Sequence, residues 1–161
     1  MSSLTHRGRT DSASIVIRAT PRSIYRAFTD SDAWVQWLPP SGMTGRIDAF
    51  DLREGGAYRM TLVYLEADRS APGKTSDDTD VVQGTFVKLV PDERVVQRIE
   101  FESDDPAYAG VMTMTWLLEE VPEGTKASIV CENVPEGIRQ EDHDAGLRST
   151  LSNLAVFVEK R

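Results

Sequence analysis

The residue nearest to acid–base chemistry is His143, set in the run Glu141-Asp142-His143-Asp144, where the carboxylates would raise its pKa and hold the ring charged. A helix starting here acts in the opposite sense, because the positive end of its dipole disfavours an imidazolium. As a general base the ring needs a substrate within hydrogen-bond reach; otherwise it is a surface group at the start of a helix. Gln97 is the second polar candidate. Alternation sets its amide on one face with Val95, Ile99 and Phe101. There, with the hydroxyl of Tyr58 or Tyr64, it can orient a ligand carbonyl or hydroxyl, or else bond to backbone or water. The one cysteine, Cys131, cannot form an internal disulfide and reads as a small apolar filler facing inward without an activating base. Asp77, Asp78 and Asp80 resemble cation ligands only loosely, lacking the glycine and terminal glutamate of an EF-hand loop, and read as a solvated loop. No zinc spacing, glycine-rich phosphate loop or nucleophile–base motif occurs, so no metal and no cofactor is implied.

The elements that must position these groups come from one domain's worth of chain. The 161 residues are 40% hydrophobic and 27% charged, which is globular composition and argues against wholesale disorder or a coiled coil. A net charge of −8 repels phosphate backbones and argues against nucleic acid as a partner. No apolar run approaches a membrane span, and the opening residues carry no secretion-signal pattern, so the expected location is cytoplasmic.

Residues 1–12, with His6, are polar and without apolar period, and read as a disordered tail before a single domain over 13–161. Residues 13–19 are β-branched and fit a first strand. Thr20-Pro21 marks a helix start, followed by Ile24, Tyr25, Ala27 and Phe28. Asp30 or Ser31 caps a second short helix carrying Trp34, Trp37 and Leu38, which Pro39-Pro40 stops. The period then changes to two. Residues 45–52, 56–66, 81–90, 94–102, 110–121 and 125–133 read as six further strands joined mostly by short turns, as in an antiparallel meander. The long connection over 67–80 is rich in Asp, Ser, Thr, Pro and Gly, and reads as mobile. From Gln140 to Lys160, Leu147, Leu151, Leu154 and Val158 form one apolar stripe that needs a sheet to cover it. The fold class is therefore α+β: a curved antiparallel seven-stranded sheet wrapped around a long C-terminal helix, with two short helices after the first strand.

The chain resembles the SRPBCC superfamily, the helix-grip fold of START domains and the birch-pollen allergen, and within it the Hsp90 ATPase activator homologue branch. The carrying residues are Ile15-Val16-Ile17-Arg18-Ala19-Thr20-Pro21, Trp34 and Trp37-Leu38-Pro39, and Glu54-Gly55-Gly56 before Tyr58-Arg59. They continue with Gly84-Thr85-Phe86 leading to Pro91-Asp92-Glu93-Arg94, and end with Asp142-His143-Asp144-Ala145-Gly146-Leu147. The resemblance implies a cavity between sheet and long helix, used by different members for different ligands. It also marks a departure. The family commonly has Trp where this chain has Leu147, and a smaller residue there would enlarge or reshape the cavity mouth.

On this reading the chain is a small-molecule-binding protein for an apolar or amphipathic ligand. The residues expected to line the site are Trp34 and Trp37 on the second helix, Tyr58, Met60, Gln97, Met114 and Trp116 on the strands, and His143, Leu147 and Leu151 on the long helix. Met and aromatic stripes also make ordinary packed core, and that alternative stands beside the cavity. A polyketide cyclase or dehydratase using His143, Gln97 and Tyr58 in the same cavity is a second reading. A co-chaperone-like partner-binding module is a third, and a homodimer is left open. Gly146, costly inside a helix, marks close approach of a ligand or side chain, or else a helix–sheet contact.

Overall fold

Period-two alternation becomes seven strands in the computed structural model, which describes residues 8–65, 74, 76 and 78–159. The elements are β1 (Arg9–Ile17), α1 (Pro21–Arg26), α2 (Ser31–Trp37), β2 (Met43–Phe50), β3 (Ala57–Tyr64), β4 (Thr79–Val90), β5 (Arg94–Phe101), β6 (Met112–Val121), β7 (Gly124–Val134) and α3 (Gln140–Glu159). The sheet runs β1-β7-β6-β5-β4-β3-β2 with every pair antiparallel, so β2 to β7 form a meander and β1 closes on β7. Register shifts in β1, β2 and β4 mark bulges, which add twist and bend to the sheet.

The two short helices start as their caps dictate. The Thr20 hydroxyl accepts from the Ser23 amide, with Pro21 in the first turn, and the Asp30 carboxylate accepts from the Asp32 amide. Past α1 the chain leaves carbonyls without helical partners. Two indoles take them: Trp34 Nε1 donates to Phe28 O at 3.0 Å and Trp37 Nε1 to Ala27 O at 3.1 Å. Both tryptophans are thereby pinned inward, edge-on to Tyr58 (5.0 Å from Trp34) and Trp116 (5.6 Å from Trp37).

Behind Pro39-Pro40 the carbonyls freed by the end of α2 are satisfied from α3. Thr150 Oγ1 donates to Leu38 O (2.9 Å), Asn153 Nδ2 donates to Pro39 O (3.0 Å), and Ser149 Oγ accepts from the Ser41 amide (2.8 Å). The apolar stripe is buried as its spacing predicts, Leu147 at 6%, Leu151 at 1%, Leu154 at 0% and Val158 at 4% exposure.

Two local expectations fail. β1 begins at Arg9, so residues 9–12 belong to the sheet instead of a tail; residues 1–7 lie outside the described residues. The pattern misses this because the inward position is Asp11, a buried carboxylate where alternation leads one to look for an apolar side chain. The connection over 67–80 lies mostly outside the described residues, but Asp80 is buried in β4 at 3% exposure and is no solvated loop residue.

The C-terminal half of α3 is buried in the core through Leu151, Leu154 and Val158. Leu154→Ala should lower unfolding free energy by about 2–5 kcal/mol, read as a lower urea midpoint. A loss below about 1 kcal/mol would mean that this half of the helix is not seated on the sheet.

Candidate functional site

Under the first half of α3 lies a cavity of about 520 Å³. Its walls come from α2, from the inward faces of β3 to β7, and from the helix itself through His143, Gly146, Leu147 and Thr150. Gly146 explains part of the space: a Cβ added there meets nothing within 4 Å. No protein side chain or backbone crowds that position, which lies in the cavity wall. The exposed part of the lining is Ser41, Arg139, Asp142 and Ala145, around the start of α3 and the end of α2.

Nine of the ten residues expected at the site line this cavity: Trp34, Trp37, Tyr58, Met60, Gln97, Met114, Trp116, His143 and Leu147. Leu151 does not. It lies one turn further along α3, where the helix meets the core, and is 1% exposed. Tyr64, Lys74, Asp80 and Met112 also line the cavity, and of these Lys74 and Asp80 escape sequence reasoning. Asp80 Oδ2 accepts from the Tyr64 hydroxyl (2.9 Å) and from Lys74 Nζ (2.9 Å), and the Lys74 amide donates to Oδ1 (2.6 Å). Only the acidic residue itself was visible in the run; its partner is six positions away across a turn.

Gln97 is the polar group at the centre of the apolar floor, 3% exposed on β5. Its Oε1 accepts from the Tyr58 hydroxyl at 3.0 Å. Tyr58 is itself aimed by Gly84 on the neighbouring strand, whose missing side chain leaves room for the ring; a Cβ there would clash with it. Burial raises the Tyr58 pKa, so the hydroxyl stays protonated and remains the donor. That leaves the Gln97 NH₂ group lining the cavity with no acceptor among the described residues.

His143 is held by β1. Arg9 grips Asp11 with two bonds, Nε to Oδ1 and Nη2 to Oδ2, each 2.8 Å, and also donates from Nη2 to Ile138 O at 2.7 Å. Asp11 Oδ2 in turn meets His143 Nδ1 at 2.7 Å. The guanidinium hydrogen bonds hold the Asp11 carboxyl below its usual range, and His143 contributes in the same direction. The acidic neighbours do not keep the imidazole charged, contrary to expectation: burial outweighs the Asp11 hydrogen bond and charge and lowers its pKa. A neutral ring beside an ionised carboxylate carries its proton on Nδ1, donates it to Asp11, and keeps an acceptor lone pair on Nε2. Nε2 has no partner among the described residues, and the ring lines the cavity.

Cys131 lies next to Asp11 in the sheet register, fully buried and outside the cavity lining. Burial pushes its thiol up to about 12, which leaves it inert as a nucleophile. Asp77 lies outside the described residues, and among those described no group of His, Cys, Asp and Glu is placed to hold a metal ion. No helix among them is long and apolar enough to cross a membrane.

Residues 18–159 match the family model described as activator of Hsp90 ATPase homolog 1-like protein. The chain belongs to this family. Its fold is that of several solved structures. Protein CV1439 from Chromobacterium violaceum is 33% identical with a TM-score of 0.79, covering 93% of this chain and 97% of that one. A Rhodobacter sphaeroides protein, 18% identical with a TM-score of 0.75, covers 95% of each chain. Protein MLL2253 from Mesorhizobium loti, also 18% identical, superposes with a TM-score of 0.70 over 94% of this chain and 98% of that one. No curated protein matches. The family and the antiparallel sheet with its C-terminal helix thus stand as the sequence indicated.

The His143 shift has a definite sign in stability. A depressed folded-state pKa means that the unfolded chain binds the proton first, so stability is complete above about pH 6.5 and is lost as pH falls through the folded value. Asp11, also depressed, adds a second loss at more acid pH, below about 3.9. Urea midpoints measured from pH 7.5 to 3 should fall in these two stages, and His143→Phe should abolish the first while keeping the second. A midpoint flat between pH 7.5 and 5 in the unaltered chain would contradict the assignment of a buried neutral ring.

Proposed function

We propose that the protein binds an apolar or amphipathic small molecule in the cavity between the sheet and the first half of α3. The observation that carries this reading is the Gln97 amide. A buried N–H group without an acceptor costs about 1–3 kcal/mol, and such a donor is tolerated where a ligand or water completes it. Here it sits in a cavity of about 520 Å³ walled by tryptophan, methionine and aliphatic side chains, within the size range of small-molecule sites. Methionines Met60, Met112 and Met114 give the wall a flexible surface that adapts to ligand shape. No cofactor enters this reading, and a cytoplasmic location remains part of it.

A second reading, an enzyme of the polyketide cyclase or dehydratase kind, is favoured by one feature: the Asp11–His143 pair, whose ring lines the same cavity. It requires turnover, which loss of the imidazole would abolish without loss of fold.

Native mass spectrometry of freshly purified protein is expected to show retained small-molecule mass released on denaturation. Leu147→Trp, which places a larger side chain in the cavity wall, should weaken binding of 1-anilinonaphthalene-8-sulfonate by about tenfold or more while the chain stays folded by circular dichroism. Dye affinity equal to that of the unaltered chain would remove the cavity as the binding site.

A further inference from the structure

The register of the sheet relates two polar side chains, Gln97 and His143, that have an unpaired atom at the cavity. Asp11 pairs with Cys131, Cys131 with Met114, and Met114 with Gln97, so these four residues form one row across four strands. Asp11, Cys131 and Gln97 are buried and Met114 lines the cavity, so the row is on the inner face of the sheet. His143 is attached at one end of the row by its bond to Asp11, and Gln97 ends it three strands away. Strand spacing separates the Asp11 and Gln97 backbones by about 14 Å along the sheet, so the two groups stand at opposite sides of the cavity floor.

The two ends ask for opposite chemistry. At Gln97, Oε1 already accepts from the Tyr58 hydroxyl, while the NH₂ group has no acceptor among the described residues and needs one. At His143, Arg9 keeps Asp11 an acceptor, Asp11 takes the Nδ1 proton, and Nε2 needs a donor. Between them Met114, with Trp116 and Met112 on the same strand, supplies an apolar bed.

We propose, resting on the binding reading above, that the ligand is a hydroxyaryl ketone or a molecule of equivalent pattern: a carbonyl received by Gln97 Nε2, a hydroxyl given to His143 Nε2, and a rigid apolar body between them. The site discriminates by polarity at both ends. A ligand lacking either group leaves one protein atom unpaired, and pockets built around hydrogen bonds reject such analogues more strongly than apolar pockets reject a change of one methylene.

The probe is 6-propionyl-2-naphthol, whose carbonyl and hydroxyl lie at opposite ends of a naphthalene. Its methyl ether lacks the donor, and 6-propyl-2-naphthol lacks the acceptor. In fluorescence titrations the unaltered chain should bind the probe about tenfold more tightly than either relative. His143→Phe should erase the preference over the methyl ether and keep the preference over 6-propyl-2-naphthol. The double variant Tyr58→Phe/Gln97→Leu, which removes both members of the inner hydrogen bond, should do the reverse. Equal affinity of the unaltered chain for all three compounds would overturn the two-ended recognition while leaving an apolar cavity in place. This ligand series decides the matter even if a variant fails to fold. Binding of none of the three above the level of Leu147→Trp would instead overturn the cavity reading, and the proposal with it.

Discussion

Everything in the site depends on how α3 is seated. Its second half is packed down on the sheet through Leu151, Leu154 and Val158, with exposures of 1%, 0% and 4%. Its first half is tied at its margins, by Asp11 to His143 from the sheet and by Leu38 and Ser41 to Thr150 and Ser149 from the end of α2. A helix is stiff over its 20 residues, so fixing one half by packing and the other by polar ties keeps the first half off the sheet floor. The cavity is the space left between them. Gly146 and Leu147, small where a large residue would close the gap, are the corresponding sequence choices.

The polar groups at the cavity are each oriented by a partner behind them. Tyr58 fixes Gln97, Gly84 leaves room for Tyr58, Arg9 fixes Asp11, and Asp11 fixes the tautomer of His143. Such two-layer support restricts each functional atom to one role, donor at Gln97 and acceptor at His143. The third polar unit is the Lys74–Asp80 ion pair, to which the Tyr64 hydroxyl also donates.

Much of this was legible from residue order alone, for physical reasons. Alternation is a reliable guide where inward positions are apolar, and it placed Tyr58, Met60, Gln97, Met114 and Trp116 on the inner face, where the structure has them. Capping chemistry located both short helices, since Thr20-Pro21 and Asp30 satisfy amides that only a helix start exposes. What escaped was polar and long-range. Asp11 is a charged residue occupying an inward strand position, so its strand read as tail; Arg9 compensates the charge, and the other partner, His143, is 132 residues away in sequence. The His143 environment was misjudged for the same reason, because acidic neighbours in sequence are solvated on the helix surface while burial acts on the ring itself. Leu151 belongs to the same apolar stripe as Leu147, yet only a seated helix distinguishes the turn over the cavity from the turn over the core.

Membership of the Hsp90 ATPase activator homologue family accounts for the architecture, and the proposed binding rests on the interior side chains. The most direct measurement is a crystal structure of protein purified without denaturation, examined in the space bounded by Gln97, Met114 and Gly146. The account predicts open volume there, holding a bound molecule or ordered water within hydrogen-bond distance of Gln97 Nε2, with the first half of α3 standing off the sheet. Collapse of Met60, Met112 and Met114 into that space, with the Gln97 amide bonded to protein at both ends, would contradict it.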